Sequence, residues 1–282
     1  MRSLLSILLL AFSSLAPAQD PAKGDALRAL AWQRGSAEGR IADKASIQIP
    51  RGYVFLDAPN TKRFLEIAGN PPRDGHYMIA PETLSWFAVF SFNPVGYVKD
   101  DEKINPDELL KSLQDSDAPS NEERKRLGLE ALHTDGWHVA PHYDTSNKRL
   151  EWGVRIRTDR GEQVVNYTSR LLGRTGVMNA VLVSDPQSLS ADTTQFKTTL
   201  AGFNFVAGEK YAEFKAGDKV AEYGLAALVV GGAAAAAAKS GLLKSLGKFL
   251  WVIIGGAAMG GWALLKKLLG RRETPPPGPG QT

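Results

Sequence analysis

From Phe249 to Leu265 the chain reads F-L-W-V-I-I-G-G-A-A-M-G-G-W-A-L-L, without one charged residue. Lys244 and Lys248 precede this run, and Lys266, Lys267, Arg271 and Arg272 follow it. An uncharged stretch of this length with a basic flank suits a helix that crosses a bilayer better than any element of a water-filled domain. The pattern predicts a transmembrane helix over 249–268. Whatever else the chain builds must then fold beside a membrane.

The other end carries a second address. Arg2 gives a positive start, Leu4 to Leu10 a short apolar core, and Ala16-Pro17-Ala18 a small-x-small cleavage pattern. That layout predicts a secretory signal peptide over 1–18, too short for a stable span. Together the two ends predict a single-pass protein of a bacterial inner membrane. The main domain is then periplasmic or otherwise extracytoplasmic. The Lys266–Arg272 cluster faces the cytoplasm, as the positive-inside rule requires. The Pro/Gly-rich stretch 269–282 is expected to be a disordered cytoplasmic tail.

Tyr223 to Ala238 is apolar but made mostly of Ala and Gly, which drive insertion weakly. Three readings are open for it: a helix at the membrane surface, a helix packed against the anchor, or a first span of a hairpin. The hairpin would put the basic cluster outside, against the charge rule. Region 223–248 is therefore read as an Ala/Gly-rich helix and basic linker.

Charge has to be divided by region. Eight of the 34 basic residues, but only one acid, Glu273, lie in the two terminal segments, so the part between them is slightly acidic. The basic overall balance follows topology, and nucleic acid is not an expected partner. There is no cysteine, which excludes disulfides, thiol catalysis and a lipid-modified N-terminal Cys.

Between the ends, residues 19–44 read as a linker with a short helix and 45–222 as one exported domain. Ala45–Ile49 and Tyr53–Leu56 are strand-like, Thr61–Ala68 is helical, and Trp86–Phe92 has the composition of a central strand. Asn105-Pro106-Asp107-Glu108 is a capped helix start, and a second helix is expected over Asn121–Leu132. Strands follow at 137–143, 150–157, 164–172 and 177–183, then a helix at 190–200 and a short strand at 203–205. The expected class is α+β, with a mixed or antiparallel sheet and flanking helices. The late portion resembles the PsbP/Mog1-like sandwich. On these boundaries a chain from Gln19 to Phe214 is expected to be soluble, monomeric and cooperatively folded.

Chemistry-bearing patterns are sparse. His133, His138 and His142 cluster near Asp135 and Asp144, but on a strand His138 and His142 stand ~13 Å apart, too far for one ion. Asp100-Asp101-Glu102 lacks the glycine of a calcium loop and reads as a polar turn feeding the capped helix. No nucleophile elbow, zinc-protease helix or Ser-x-x-Lys motif occurs. No metal or cofactor site is expected. Ligand or partner contact is assigned to Asp100, Asp101, Arg124, Trp137 and Tyr143.

The chain resembles a bacterial family of uncharacterised membrane-anchored proteins, domain of unknown function 2167. The resemblance is carried by Gly96-Tyr97-Val98-Lys99-Asp100-Asp101, by Asn121, Arg124 and Gly128, by Gly136-Trp137, Pro141 and Tyr143-Asp144, and by Leu150-Glu151-Trp152. Asn166-Tyr167, Gly173-Arg174-Thr175-Gly176 and Tyr223-Gly224-Leu225 extend it, so that it covers 45–268. It implies an exported, membrane-anchored protein and supplies no reaction or catalytic residue.

Two function classes follow. The first is an envelope binding or scaffolding domain that recruits a protein, lipid or wall component. The second is an envelope enzyme acting on a cell-wall or lipid substrate near Asp100, Asp101, His138 and Asp144. The absence of a catalytic constellation favours the first. Inner-membrane lipid is the expected constant neighbour, with an envelope protein as a further partner. Gly256 and Gly260 form a G-x-x-x-G, which would allow two anchors to pair closely as a homo-dimer.

Overall fold

A computed structural model describes residues 21–68, 73–126 and 130–230. The expected signal peptide, the transmembrane helix 249–268 with Gly256 and Gly260, the tail 269–282, and most of the Ala/Gly-rich run lie outside them. Among the described residues, no helix is long and apolar enough to cross a membrane.

The chain opens with α1 (Pro21–Arg28), β1 (Gln33–Arg34), β2 (Ala37–Ile41), β3 (Ala45–Ile49), β4 (Tyr53–Leu56), α2 (Ala58–Ile67), β5 (His76–Pro81) and β6 (Phe87–Asn93). Two helices follow, α3 (Pro106–Asp115) and α4 (Asp117–Arg126). A long meander comes next: β7 (Leu132–Asp144), β8 (Arg149–Thr158), β9 (Gln163–Leu172) and β10 (Val177–Val183). Then α5 (Leu189–Leu200), β11 (Phe203–Phe205) and α6 (Leu225–Val230) close the described part. The class is α+β, built on one large antiparallel sheet with flanking helices.

The eight-stranded sheet runs β1-β4-β5-β6-β10-β9-β8-β7, and a second sheet runs β11-β3-β2. The smaller sheet and α5 cover the middle of one face, burying Ile47, Trp86, Phe90, Tyr167 and Phe196. On the other face, α1 and α2 pack Leu27, Leu56, Phe64 and Phe87 at one end. At the other end α3 and α6 pack Leu109, Leu113, Leu150, Trp152 and Leu225. The strand alternation is what separates these layers, since successive side chains face opposite sides of the sheet. At the outer edges, β1 has two residues, while the 13-residue β7 pairs with β8 through three register shifts.

Local signals explain the helix starts. Asn105 caps α3, its Oδ1 accepting from the Asp107 and Glu108 amides at 3.2 and 3.4 Å, and Pro106 takes the first turn, where no N–H is needed. α2 starts three residues before the expected Thr61 and is capped by Asp57, whose Oδ1 accepts from the Asn60 amide at 3.1 Å. The helix expected at 121–132 begins earlier, at Asp117, and ends at Arg126.

Two boundaries differ from the sequence reading. Residues read as linker hold β1 and β2, and Ile41 is fully buried in the core. The charged pattern A-E-G-R-I suggests a surface segment, yet β2 pairs with β3 over five residues. At the other end, α6 belongs to the domain: Leu225, Leu228 and Val229 are buried beside Leu109 and Leu113. None of the three membrane readings of 223–238 included such packing. A domain ending at Phe214 or Glu222 would lose it.

Candidate functional site

Three polar clusters are built into the large sheet. The first holds two of the sequence-assigned residues. Asp100, after β6, accepts from Tyr143 Oη at 2.9 Å and from Lys148 Nζ at 2.8 Å. Lys148 also lies 5.1 Å from the centre of the Tyr211 ring, which stacks on Tyr97 at 4.4 Å. Partial burial pushes the Asp100 carboxyl up. Hydrogen bonding from Lys148 and Tyr143 outweighs it and holds the group below the usual carboxylate range. Tyr143 and Tyr211 are both pushed up, first by burial and then by the hydrogen-bonded groups beside them.

The depressed acidity has a consequence for stability. The Asp100 contribution is complete above its unfolded value, near 3.8, and is lost as pH falls through the lower folded value. Asp100→Asn should therefore cost about 1–3 kcal/mol at neutral pH, the worth of charge-assisted hydrogen bonds. The gap to wild type should close below pH 4. Urea unfolding at a series of pH values measures it; a gap independent of pH would mean that the carboxylate charge is not what matters.

The other assigned residues sit apart. Asp101 is exposed. Trp137 Nε1 donates to the Pro106 carbonyl at 3.1 Å and so ties β7 to the start of α3. Arg124 is 6% exposed, and its Nε donates to the Glu130 carbonyl at 2.6 Å. His138 is exposed, and neither it nor Arg124 hydrogen-bonds to Asp100. Among the described residues no group of His, Asp or Glu is arranged to hold a metal. His133 instead pairs with Asp159 at 2.7 Å, and His142 lies 3.4 Å from Glu151.

The second cluster surrounds that glutamate, which the sequence reading did not single out. Glu151 is 1% exposed in β8. Ser169 Oγ donates to its Oε1 at 2.9 Å. Arg149 lies at 3.2 Å from the same oxygen, and Lys197 of α5 at 3.2 Å from the other. Ser169 is the hydrogen-bond donor here and Arg149 Nε, though in ion-pair range, makes no hydrogen bond, so this buried carboxylate ties β7, β8, β9 and α5 together chiefly by charge.

The third cluster is on the opposite face of β9. Register places Arg170 beside Leu150 on β8 and beside Asn179 on β10, which itself faces Ser91 on β6. The Arg170 guanidinium lies 5.6 Å from the centre of the Trp152 ring. Burial lowers its pKa to about 10, opposed only by the Tyr223 phenol; no carboxylate acts on it. Three buried polar atoms here make no hydrogen bond: Arg170 Nε, Asn179 Oδ1 and Tyr223 Oη. Buried polar atoms are almost always bonded, so two unbonded ones on register neighbours, Arg170 of β9 and Asn179 of β10, are unusual. Two donors and one acceptor suit an anionic group with an O–H or N–H next to it. A sequence signal existed: Asn166, Thr168 and Arg170 recur at every second position and put polar side chains on one face of a central strand.

No curated protein matches the chain. Among solved structures, the solution structure of cyanobacterial PsbP (CyanoP) from Synechocystis sp. PCC 6803 is similar at 11% identity, over 62% of this chain and 92% of that chain, with a TM-score of 0.35. The model of a family described as protein of unknown function (DUF2167) matches residues 33–260.

Proposed function

Since the chain belongs to the DUF2167 family, for which no activity is defined, we propose its role from the site alone: a membrane-anchored envelope protein whose exported domain binds rather than catalyses. In this reading a signal peptide over 1–18 is removed, and a single span over 249–268 holds the periplasmic domain at the inner membrane. The fold is then a variant of the PsbP/Mog1-like sandwich, and the chain recruits an envelope partner or ligand.

The observation that carries binding is the Arg170 cluster. Arg170 is half-buried, but its Nε is fully buried and makes no hydrogen bond, and no carboxylate acts on the guanidinium, an arrangement that costs stability unless a ligand completes it. Catalysis through Asp100, Asp101 and His138 has no comparable support. Asp100 is engaged by Lys148 and Tyr143, and His138 is exposed.

Arg170→Met separates a binding role from a structural one. Replacing this half-buried cation, which has no carboxylate partner, by an apolar side chain of similar length should change stability by less than about 1 kcal/mol, or raise it. In intact cells, proximity crosslinking of the wild-type chain should capture envelope neighbours, and the variant should lose a subset of them. A variant that is strongly destabilised while keeping every neighbour would make Arg170 a structural residue and remove the binding reading.

A further inference from the structure

Phe214 and Val220 are the large apolar side chains left exposed among the described residues, each at 39%. They form one patch. The Phe214 ring lies 4.3 Å from that of Tyr97, and Val220 bridges Tyr97 in parallel pairing. The backbone holds this surface firmly: the Tyr97 amide donates to the Lys219 carbonyl at 2.8 Å, and the Ala221 amide to the Tyr97 carbonyl at 2.8 Å. Gly96 makes the approach possible, with φ of 97° and the Lys219 oxygen 2.6 Å from where a Cβ would stand. The exposure is therefore built into the fold rather than a product of a frayed loop.

Nearby acids are mostly used internally. Asp218 accepts two bonds from Arg174, at 2.6 and 2.7 Å. Glu209 pairs with Lys44 and Thr175, and Glu213 accepts from the Gly208 and Lys210 amides. Lys215 and Lys219, next to the apolar residues in sequence, are exposed and form no ion pair with a described residue; Glu222 is the exposed acid close by. The chain then enters α6 at Leu225, five residues after Val220.

We propose that the Phe214–Tyr97–Val220 surface, flanked by Lys215 and Lys219, rests on a bilayer that contains anionic lipid. The inference deepens the membrane-anchored reading and depends on it for its orientation. Size decides between lipid and protein as the occupant. A stable protein interface needs about 800 Å² on each partner, far more than three side chains present. A bilayer surface asks only for shallow insertion of an aromatic and an aliphatic group, with lysine stems lying along the apolar region and their ammonium groups at phosphate. Anionic headgroups add attraction for each lysine.

The absence of cysteine makes the test clean, because Val220→Cys is then a unique site for an environment-sensitive fluorophore. Glu162→Cys serves as control: it lies in the β8–β9 turn, at the other end of the ten-residue β9, roughly 30 Å along the strand from Gly173. The full chain is reconstituted in nanodiscs with and without phosphatidylglycerol, using a headgroup-linked quencher. Emission at 220 should shift to the blue and be quenched, most strongly with phosphatidylglycerol, while that at 162 should not change. Lys215→Glu with Lys219→Glu should lose the phosphatidylglycerol dependence. Equal access of aqueous iodide to both labels would overturn the proposal, and so would mutual quenching of two 220 labels without dependence on lipid, which marks a second copy as the occupant. If the chain does not enter nanodiscs, the anchor reading fails. The same label is then read with phosphatidylglycerol vesicles added, where quenching upholds docking and its absence overturns it.

Discussion

A chain that stops at Phe214 is expected to fold poorly or not at all, whereas one that stops at Val230 unfolds cooperatively. Between those points lie Leu225, Leu228 and Val229, exposed by only 1%, 3% and 4%. Burying side chains of this size contributes about 1.5–3 kcal/mol each, so the loss of three reaches about 4.5–9 kcal/mol. A domain's whole stability is only about 5–15 kcal/mol. The shorter chain also loses the Tyr97 bonds to Lys219 and Ala221 and uncovers Leu109 and Leu113 on α3. Urea unfolding of the two forms, followed by tryptophan fluorescence, measures the difference. Equal midpoints would mean that α6 is a passenger on the domain rather than part of its core.

Glu151→Ala is the point substitution expected to do most harm. It leaves Arg149 and Lys197 facing each other across a buried site and removes the acceptor of Ser169. Arg149, with 16% of its side chain exposed, stays largely desolvated, whereas Lys197 at 38% is solvated, so the cost is expected at about 2–3 kcal/mol, below that of a fully buried pair. Glu151→Gln keeps the shape and the bond from Ser169, and should cost less. The contrast with Arg170→Met is informative: Glu151 is buried and ion-paired, whereas Arg170 is half-buried and has no carboxylate acting on it. Chemical denaturation of both variants reads this directly. A loss below about 1 kcal/mol for Glu151→Ala would show that solvent reaches the cluster and replaces the carboxylate.

Much of the architecture was legible because it rests on local rules. The antiparallel meander follows from alternation in 150–157, 164–172 and 177–183, and α3 from the Asn105-Pro106 start. What escaped depends on partners distant in the chain. β2 looks like a hydrophilic linker, and only its pairing with β3 makes it a strand. The apolar spacing of α6 fits a bilayer as readily as it fits α3, so hydropathy alone could not choose. The site shows the same division. Asp100 and Tyr143 do meet, though 43 residues apart, while Arg124, Trp137 and Asp101 are placed elsewhere. Glu151 and Arg170 were visible as charges inside apolar strands. Their difference was not, because Lys197 comes from a separate helix and an absent counter-ion leaves no mark in sequence.

The edges of the large sheet limit how a partner can engage this domain. An open strand edge invites a foreign chain to add itself as the next strand. Here the β1 edge offers two residues, too few to hold such an addition. The β7 edge is long, but its register shifts between Thr134 and Gly136, Trp137 and Val139, and Val139 and His142 break the regular spacing of free amides and carbonyls. Pro141 removes one more donor. Backbone-templated recruitment, and the fibre growth that follows from it, is thus discouraged at both ends. A molecule that recognises the large sheet must do so by the shape and charge of its side chains.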